Sequence, residues 1–180
     1  MDIHRIDLQP VLVGRTIKLR PLERSDFSGL YRAASDPKIW ELHPDFERYQ
    51  RDVFEERFFA GAITSRGALV IEEIATGRVV GSSRFYEWRP DSNEISIGYT
   101  FIECSHWGSG TNRELKALML DHIYQWVDVV WFHVGKENLR SRRAVEKLGA
   151  EYSHQKDREL KGKPFVQFYY RLEKQRSFMS

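Results

Sequence analysis

Hydrophobic positions along this chain fall into two rhythms. Alternation of apolar and polar residues, rich in β-branched and aromatic types, predicts strands over Val11 to Leu22, Ala68 to Glu73, Val79 to Trp88, Glu94 to Ile102 and Val129 to Val134. Two more follow near Glu151–Leu160 and Phe165–Leu172. The turns between neighbours are Ala75-Thr76-Gly77, Arg89-Pro90-Asp91-Ser92-Asn93 and Lys161-Gly162-Lys163-Pro164. Spacings of three and four predict helices elsewhere. The first follows Glu23-Arg24-Ser25-Asp26, with Ser25 or Asp26 as its cap and Phe27, Leu30, Tyr31 and Ala34 on its apolar side. A second runs from about Phe46 to Ala60, carrying Val53, Phe54, Phe58 and Phe59. A third, with Leu115, Leu118, Met119, His122 and Ile123, runs to about Trp126. A short fourth spans about Leu139 to Leu148, with Gly149 as its C-terminal cap. The order β, α, α, three-strand meander, α, β, α, β, β predicts an α+β fold. Its sheet is mixed, mostly antiparallel, with about six to seven strands and about four flanking helices.

Composition adds limits to this picture. At 180 residues, with no linker, repeat or low-complexity stretch, the chain reads as a single domain. Lys plus Arg is 28 and Asp plus Glu is 26, a net charge of +2, which argues against a nucleic-acid partner. No apolar run approaches the roughly 18 residues of a membrane span, so no membrane partner is expected. Met1-Asp2-Ile3-His4-Arg5 lacks an apolar signal core, and a cytoplasmic location is the expectation. The single Cys104 excludes an internal disulfide and a multi-cysteine metal cage, and no metal is expected.

The candidate chemistry begins at Trp107-Gly108-Ser109-Gly110-Thr111-Asn112, between a strand pattern and a helix pattern. The first N–H groups of a helix have no partner within it, and the dipole adds about half a positive charge there. Glycines let that backbone approach an anion closely. We read the segment as a pyrophosphate cradle. A second cluster, Asn138-Leu139-Arg140-Ser141-Arg142-Arg143 leading to Lys147-Leu148-Gly149, follows about 30 residues later. With Leu12-Val13-Gly14-Arg15, Leu19-Arg20-Pro21-Leu22 and Val79-Val80-Gly81-Ser82, the two segments resemble the GCN5-related N-acetyltransferases (GNAT). The resemblance runs in order over residues 12 to about 173, and within the family it is similar to the ribosomal-protein alanine acetyltransferases.

That resemblance implies a GNAT fold with splayed central strands, acetyl-CoA as donor, and a primary amine as acceptor, either a small molecule or a peptide N-terminus. It also implies a homodimer as one assembly, since relatives are often dimers. Pantetheine is a chain of amides that can pair with a strand edge, and the family places this contact on the strand that here holds Thr100, Phe101 and Ile102. The pyrophosphate would rest on the N–H groups of Trp107 to Asn112, with hydroxyls from Ser109 and Thr111. Asn138 would bind a pantetheine amide, and Arg142 or Arg143 a phosphate. Many relatives protonate the leaving thiolate with a tyrosine four residues before the closing glycine, and that position here is Val145. In the ribosomal-protein branch a serine matches Ser141, the expected acid. Glu94, Glu103 and His106 are the candidate bases. The aromatic-rich helices from Phe27 to Phe59 are expected to form part of the acceptor wall. Ser105, three positions before Gly108, departs from the basic residue or glutamine of many relatives. Asn112, Glu114 and Lys116 likewise replace small residues, which puts the ribosomal substrate in doubt.

Plainer readings stand beside these. Asn138 is a natural helix cap, Ser141 a solvated first-turn residue, His133 a satisfied sheet histidine and Cys104 a passive half-buried thiol. The arginines at 140, 142 and 143 also suit a solvated helix side. Two other functions compete. A dinucleotide oxidoreductase fits Gly108 and Gly110, but its third glycine position holds Arg113. A non-catalytic acyl-CoA sensor of the same fold fits the absence of the tyrosine.

Overall fold

The computed structural model describes residues 6–175. The Met1–Arg5 segment, expected to lack a signal core, lies outside the described residues. Eight strands form one sheet: β1 Leu12–Val13, β2 Ile17–Pro21, β3 Ala68–Glu73, β4 Val79–Arg89, β5 Glu94–Ile102, β6 Val129–Gly135, β7 Glu151–Leu160 and β8 Lys163–Glu173. Their spatial order is β1-β2-β3-β4-β5-β6-β8-β7, and every pair is antiparallel except β5–β6. Helix α1 is Phe27–Ala34. A continuous rod, α2, is made of Arg51–Phe54, a π-turn at Glu55–Phe59, and Ala60–Ser65. Helix α3 is Thr111–Ile123 and α4 is Leu139–Glu146.

Each sheet face buries one set of helices, as the alternation of side chains along a strand requires. Leu69, Ile71, Phe85, Ile95, Ile97, Val130 and Phe132 pack with Leu115, Met119 and Ile123 of α3 and Val145 of α4. Ala68, Val70 and Phe101, on the other face, pack with Leu30 and Ala33 of α1 and with Phe54, Phe58 and Ala62 of α2. The aromatic residues expected to wall the acceptor site are thus largely core: Trp40, Phe54 and Phe58 are under 4% exposed.

Several boundaries differ from the sequence reading for local reasons. The first predicted strand is two, folded at Gly14, whose N–H donates to the Ile17 carbonyl at 2.9 Å. The Glu114 carboxylate accepts the Thr16 N–H at 2.9 Å and ties this turn to α3. The second helix starts later than predicted: Phe46–Tyr49 is a separate 3-10 turn, and Gln50 is extended with ψ 137°. The last turn is shorter than predicted, because Lys161 (φ 51°) and Gly162 (φ 74°) make a two-residue hairpin.

The feature that positions the site is the parallel pair. β5 and β6 are in register only at Glu94–Ser96 against Val129–Trp131. Among the described residues, β5 has no partner on that side from Ile97 to Ile102. A bulge accompanies the divergence. From Ser82 to Arg84 β4 advances two residues while β5, from Gly98 to Phe101, advances three. The extra residue is Tyr99, in left-handed geometry at φ 51°. A bulge bends its strand and raises the local twist, so β5 swings from β6 and a wedge opens between them.

Candidate active site

The wedge widens toward the glycine bend. Gly110 (φ 89°) caps the N-terminus of α3 and Gly108 has φ 74°. A Cβ built on either would meet nothing within 4 Å. Both glycines are exposed, as is Ser109 between them. Among the described residues, the N–H groups of Gly108, Ser109 and Gly110 have no backbone acceptor. This bare stretch of amides fits a phosphate-bearing ligand. The cradle is narrower than the sequence reading drew it. The Trp107 N–H donates to the Cys104 carbonyl at 3.1 Å, and the Thr111 N–H leans on Ser109 Oγ at 3.4 Å. The two hydroxyls also turn inward: Ser109 Oγ donates to the His106 carbonyl at 2.6 Å and lies 2.8 Å from Thr111 Oγ1. Thr111 is 5% exposed, and Asn112 is half-buried on the first turn of α3.

Thr100, Phe101 and Ile102 lie on the unpaired part of β5. Phe101 packs against Trp40, Phe54 and Phe58. Thr100 Oγ1 lies 2.8 Å from Ser83 Oγ and accepts from Lys116 Nζ at 2.8 Å. The Ile102 carbonyl accepts from the Trp107 indole at 3.0 Å.

The β6–α4 wall holds the second cluster. Asn138, at 8% exposure, caps α4: its Oδ1 accepts the Ser141 N–H at 3.1 Å. That bond fixes the first turn and leaves the half-buried Ser141 hydroxyl outside the cap. Arg142, one of the two residues expected at a phosphate, is engaged within the protein. Its Nε donates to Tyr170 Oη at 3.1 Å and its Nη1 to the Lys136 carbonyl at 3.0 Å, over the Phe168 ring. Arg143 is exposed. Arg140 lies beside the glycine bend, 4.1 Å over the Trp107 ring and bonded to the carbonyls of Lys38 and Ile39 at 3.2 and 3.0 Å.

The candidate bases separate. Glu94 stands 3.8 Å from Arg89 at the opposite end of the nine-residue β5, roughly 26 Å from Ile102 at the usual strand rise. The structure does not bring it to the glycine bend. Glu103 is near the bend but is held by Arg78 Nη2 at 2.9 and 3.0 Å. His106 has both ring nitrogens engaged, Nε2 at 3.1 Å from Glu73 and Nδ1 at 3.0 Å from Ser105 Oγ. Cys104 has its thiol pushed up to about 11, by burial first and then by Asp36, so it is protonated near neutral pH, in keeping with a passive role.

Two groups in the wedge escaped the sequence reading as chemistry. Lys116, on α3, reaches Thr100 on β5, and its ammonium lies 5.7 Å over the Phe132 ring of β6. Burial lowers its pKa to about 7. On the other sheet face, Arg84, Tyr86 and Tyr99 meet His133 and Tyr169. Arg84 lies 4.0 Å over the Tyr99 ring, Tyr86 packs on Tyr99 and His133, and His133 on Tyr169. Burial, then the cations Arg89, Arg158 and Lys156, lower the His133 pKa to about 4, so the ring is neutral at pH 7. One signal was available for Arg84 and Lys116: each is a cation at a position where the apolar rhythm calls for a buried residue.

An open mixed sheet, a wedge with one bare strand edge, and a glycine-opened helix N-terminus define a class of protein suited to a long phosphorylated ligand that carries amides. Residues 16–151 match the family described as the Acetyltransferase (GNAT) domain. The chain belongs to that family, whose members generally use acetyl-CoA and act on amines. Solved structures agree with the fold. A GCN5-related N-acetyltransferase from Brucella melitensis superimposes with TM-score 0.76 at 18% identity, covering 92% of this chain and 79% of its own. A GNAT-family acetyltransferase from Bacillus anthracis gives 0.70 at 16%, covering 91% and 98%. A spermidine N-acetyltransferase chimera from Vibrio cholerae and hSSAT gives 0.68 at 19%, covering 88% and 96%. No curated protein matches the chain. Among the described residues, no helix is long and apolar enough to cross a membrane.

Proposed function

We propose that this protein is an acetyl-CoA-dependent N-acetyltransferase that passes the acetyl group from the thioester to a primary amine by direct attack. The observation that carries this reading is the wedge: β5 leaves β6 after Ser96 and, among the described residues, runs with that edge free to a glycine bend whose amides have no backbone acceptor. Acetyl-CoA supplies the activated acyl group. This chain's residues hold and orient it. The amides of Gly108, Ser109 and Gly110 take the pyrophosphate, the β5 edge takes the pantetheine amides, and Arg140, over Trp107, adds positive charge beside the bend.

Attack needs a neutral amine near the thioester carbon and a proton for the departing thiolate. A free thiol has a pKa of about 8.5, so a hydroxyl donor beside the sulfur helps expulsion. The Ser141 hydroxyl, on the first turn of α4, is our candidate for that donor. Burial holds the His133 pKa down to about 4, which makes it a weak base, and Glu103 is paired with Arg78. We therefore assign the amine's proton to ordered water, or to release before binding. An α-amine, with a pKa of about 8, needs little help.

Calorimetry of the full chain with coenzyme A, followed by thiol release from acetyl-CoA across a panel of amines, tests this. Saturable binding and amine-dependent release are expected. No coenzyme A binding by the folded protein removes the reading. Binding with no release on any amine favours the sensor, which the missing tyrosine at Val145 keeps as the second reading.

A further inference from the structure

Arg84 is a buried cation with no carboxylate partner among the described residues. It is 6% exposed, and its Nε and Nη2 have no hydrogen-bond partner among the described residues. A buried ionised group without a partner costs several kcal/mol, and arginine cannot escape by losing its proton.

The surrounding charges sharpen the problem. Arg48 and Arg57 have carboxylate partners: Arg48 Nε meets Asp45 Oδ2 at 3.1 Å, while Arg57 Nη1 meets Asp45 Oδ1 at 3.0 Å and Glu47 Oε2 at 3.2 Å. With Lys161 Nζ 3.4 Å from Glu47 Oε2, three cations share two carboxylates there, so neither carboxylate is spare for Arg84. Arg48 acts on it as a like charge.

The unpaired atoms have a shape. Nε and Nη2 lie on one edge of the planar guanidinium, and their two N–H bonds run side by side. That edge matches the two oxygens of a carboxylate. The plane is already set, stacked 4.0 Å over the Tyr99 ring and 5.8 Å from Phe58.

Its position points to the acceptor. Arg84 pairs in register with Gly98, beside the Tyr99 bulge where β5 leaves β6. Phe58 belongs to the π-turn of α2, a distortion that recurs at functional sites. On the same face, a hollow is lined by three cations, Arg89, Lys156 and Arg158, and one carboxylate, Glu87, beside Trp131, His154 and Tyr169.

We infer that Arg84 is a specificity residue for the carboxylate of an amino-acid-like acceptor, a small amine that carries an acid group. Its Nε–H and Nη2–H donate to the two carboxylate oxygens, and Tyr99, 44% exposed above the guanidinium, is the cover that moves on entry. The inference rests on the acetyltransferase reading for the identity of the ligand, but its test does not depend on turnover.

The twenty N-acetyl-α-amino acids and their carboxamides, as product mimics, are titrated into the full chain saturated with coenzyme A. At least one acid should bind at least tenfold more tightly than its carboxamide. Arg84→Gln should erase that difference while coenzyme A affinity stays unchanged. If no acid binds better than its carboxamide, or if Arg84→Gln keeps the preference, the inference is overturned. Loss of coenzyme A binding by the wild-type chain would instead sink the acetyltransferase reading. Arg84→Lys, which keeps the charge but loses the fork, separates the two-point contact from simple attraction: it should restore less than a tenth of the lost affinity.

Discussion

The two faces of the sheet at the β5 bulge solve the same problem differently. Facing α3, Lys116 is buried against Thr100 and Phe132, and its pKa falls to about 7. Facing α2, Arg84 is buried against Tyr99 and Phe58 with two nitrogens unpaired. Only a few residues of β5 separate them. Lysine relieves its burial by giving up a proton, and it keeps one hydrogen bond to Thr100 when neutral. Arginine has no such exit, so the same burial becomes a standing demand for an anion. One face of the bulge is therefore complete without ligand, and the other is not.

The largest test of this contrast is Lys116→Arg. A charge that cannot be shed, placed in the same pocket, should cost about 3–5 kcal/mol, read as a lower urea midpoint with unchanged slope; a smaller cost would mean that the pocket is wetter than it looks. Next comes the pH dependence of the wild type. The native pKa of Lys116 is lowered to about 7 from 10.5, so between these values the unfolded chain holds more protons. The contribution to stability therefore rises with pH across the window from about 7 to 10.5 and is flat below it. Lys116→Met should remove that slope, with a stability gain near pH 7 on the order of 3 kcal/mol. On the opposite face, Arg84→Met should stabilise the ligand-free protein by about 1–3 kcal/mol in urea titrations, although it removes a side chain proposed to bind acceptor. No change would mean that Arg84 is already satisfied.

Smaller effects test the wedge itself. Gly110→Val puts a β-branched residue at φ 89° where the ligand backbone is to rest, and should weaken coenzyme A binding tenfold or more, about 1.4 kcal/mol. Unchanged affinity in calorimetry, with the fold intact, would move the cradle elsewhere. Ser141→Ala should lower turnover by about tenfold with little change in affinity, about 1.4 kcal/mol in the barrier. Equal turnover would end its assignment as the thiolate's proton donor.

Much of the fold was legible because it rests on local periodicity. Leu115, Met119 and Ile123 recur at helical spacing and are all fully buried in α3. The glycine bend was legible for a similar reason: two glycines ahead of a helix leave few backbone outcomes, and both take positive φ. Boundaries set by single contacts were not. Nothing local shows that the Glu114 carboxylate will pin the turn at Gly14, far away in sequence, and split one predicted strand into two.

The candidate site divides along the same line. Asn138 and Ser141 fall where the sequence put them, on the cap and first turn of α4, because caps are local. Arg142 is claimed by Tyr170 of β8, and Glu94 stands at the end of β5 away from the glycine bend. Arg140 is held over Trp107 by the carbonyls of Lys38 and Ile39, contacts no local pattern shows.

By itself the sequence determined the element order, the family and the glycine bend, all of which follow from spacing along the chain. Tertiary structure alone decided which charges are balanced. Whether Arg84 has a counter-ion, or Lys116 a proton, depends on what α2 and α3 bring to opposite sides of one bulge, and burial energy is a property of that assembled neighbourhood rather than of any residue in it.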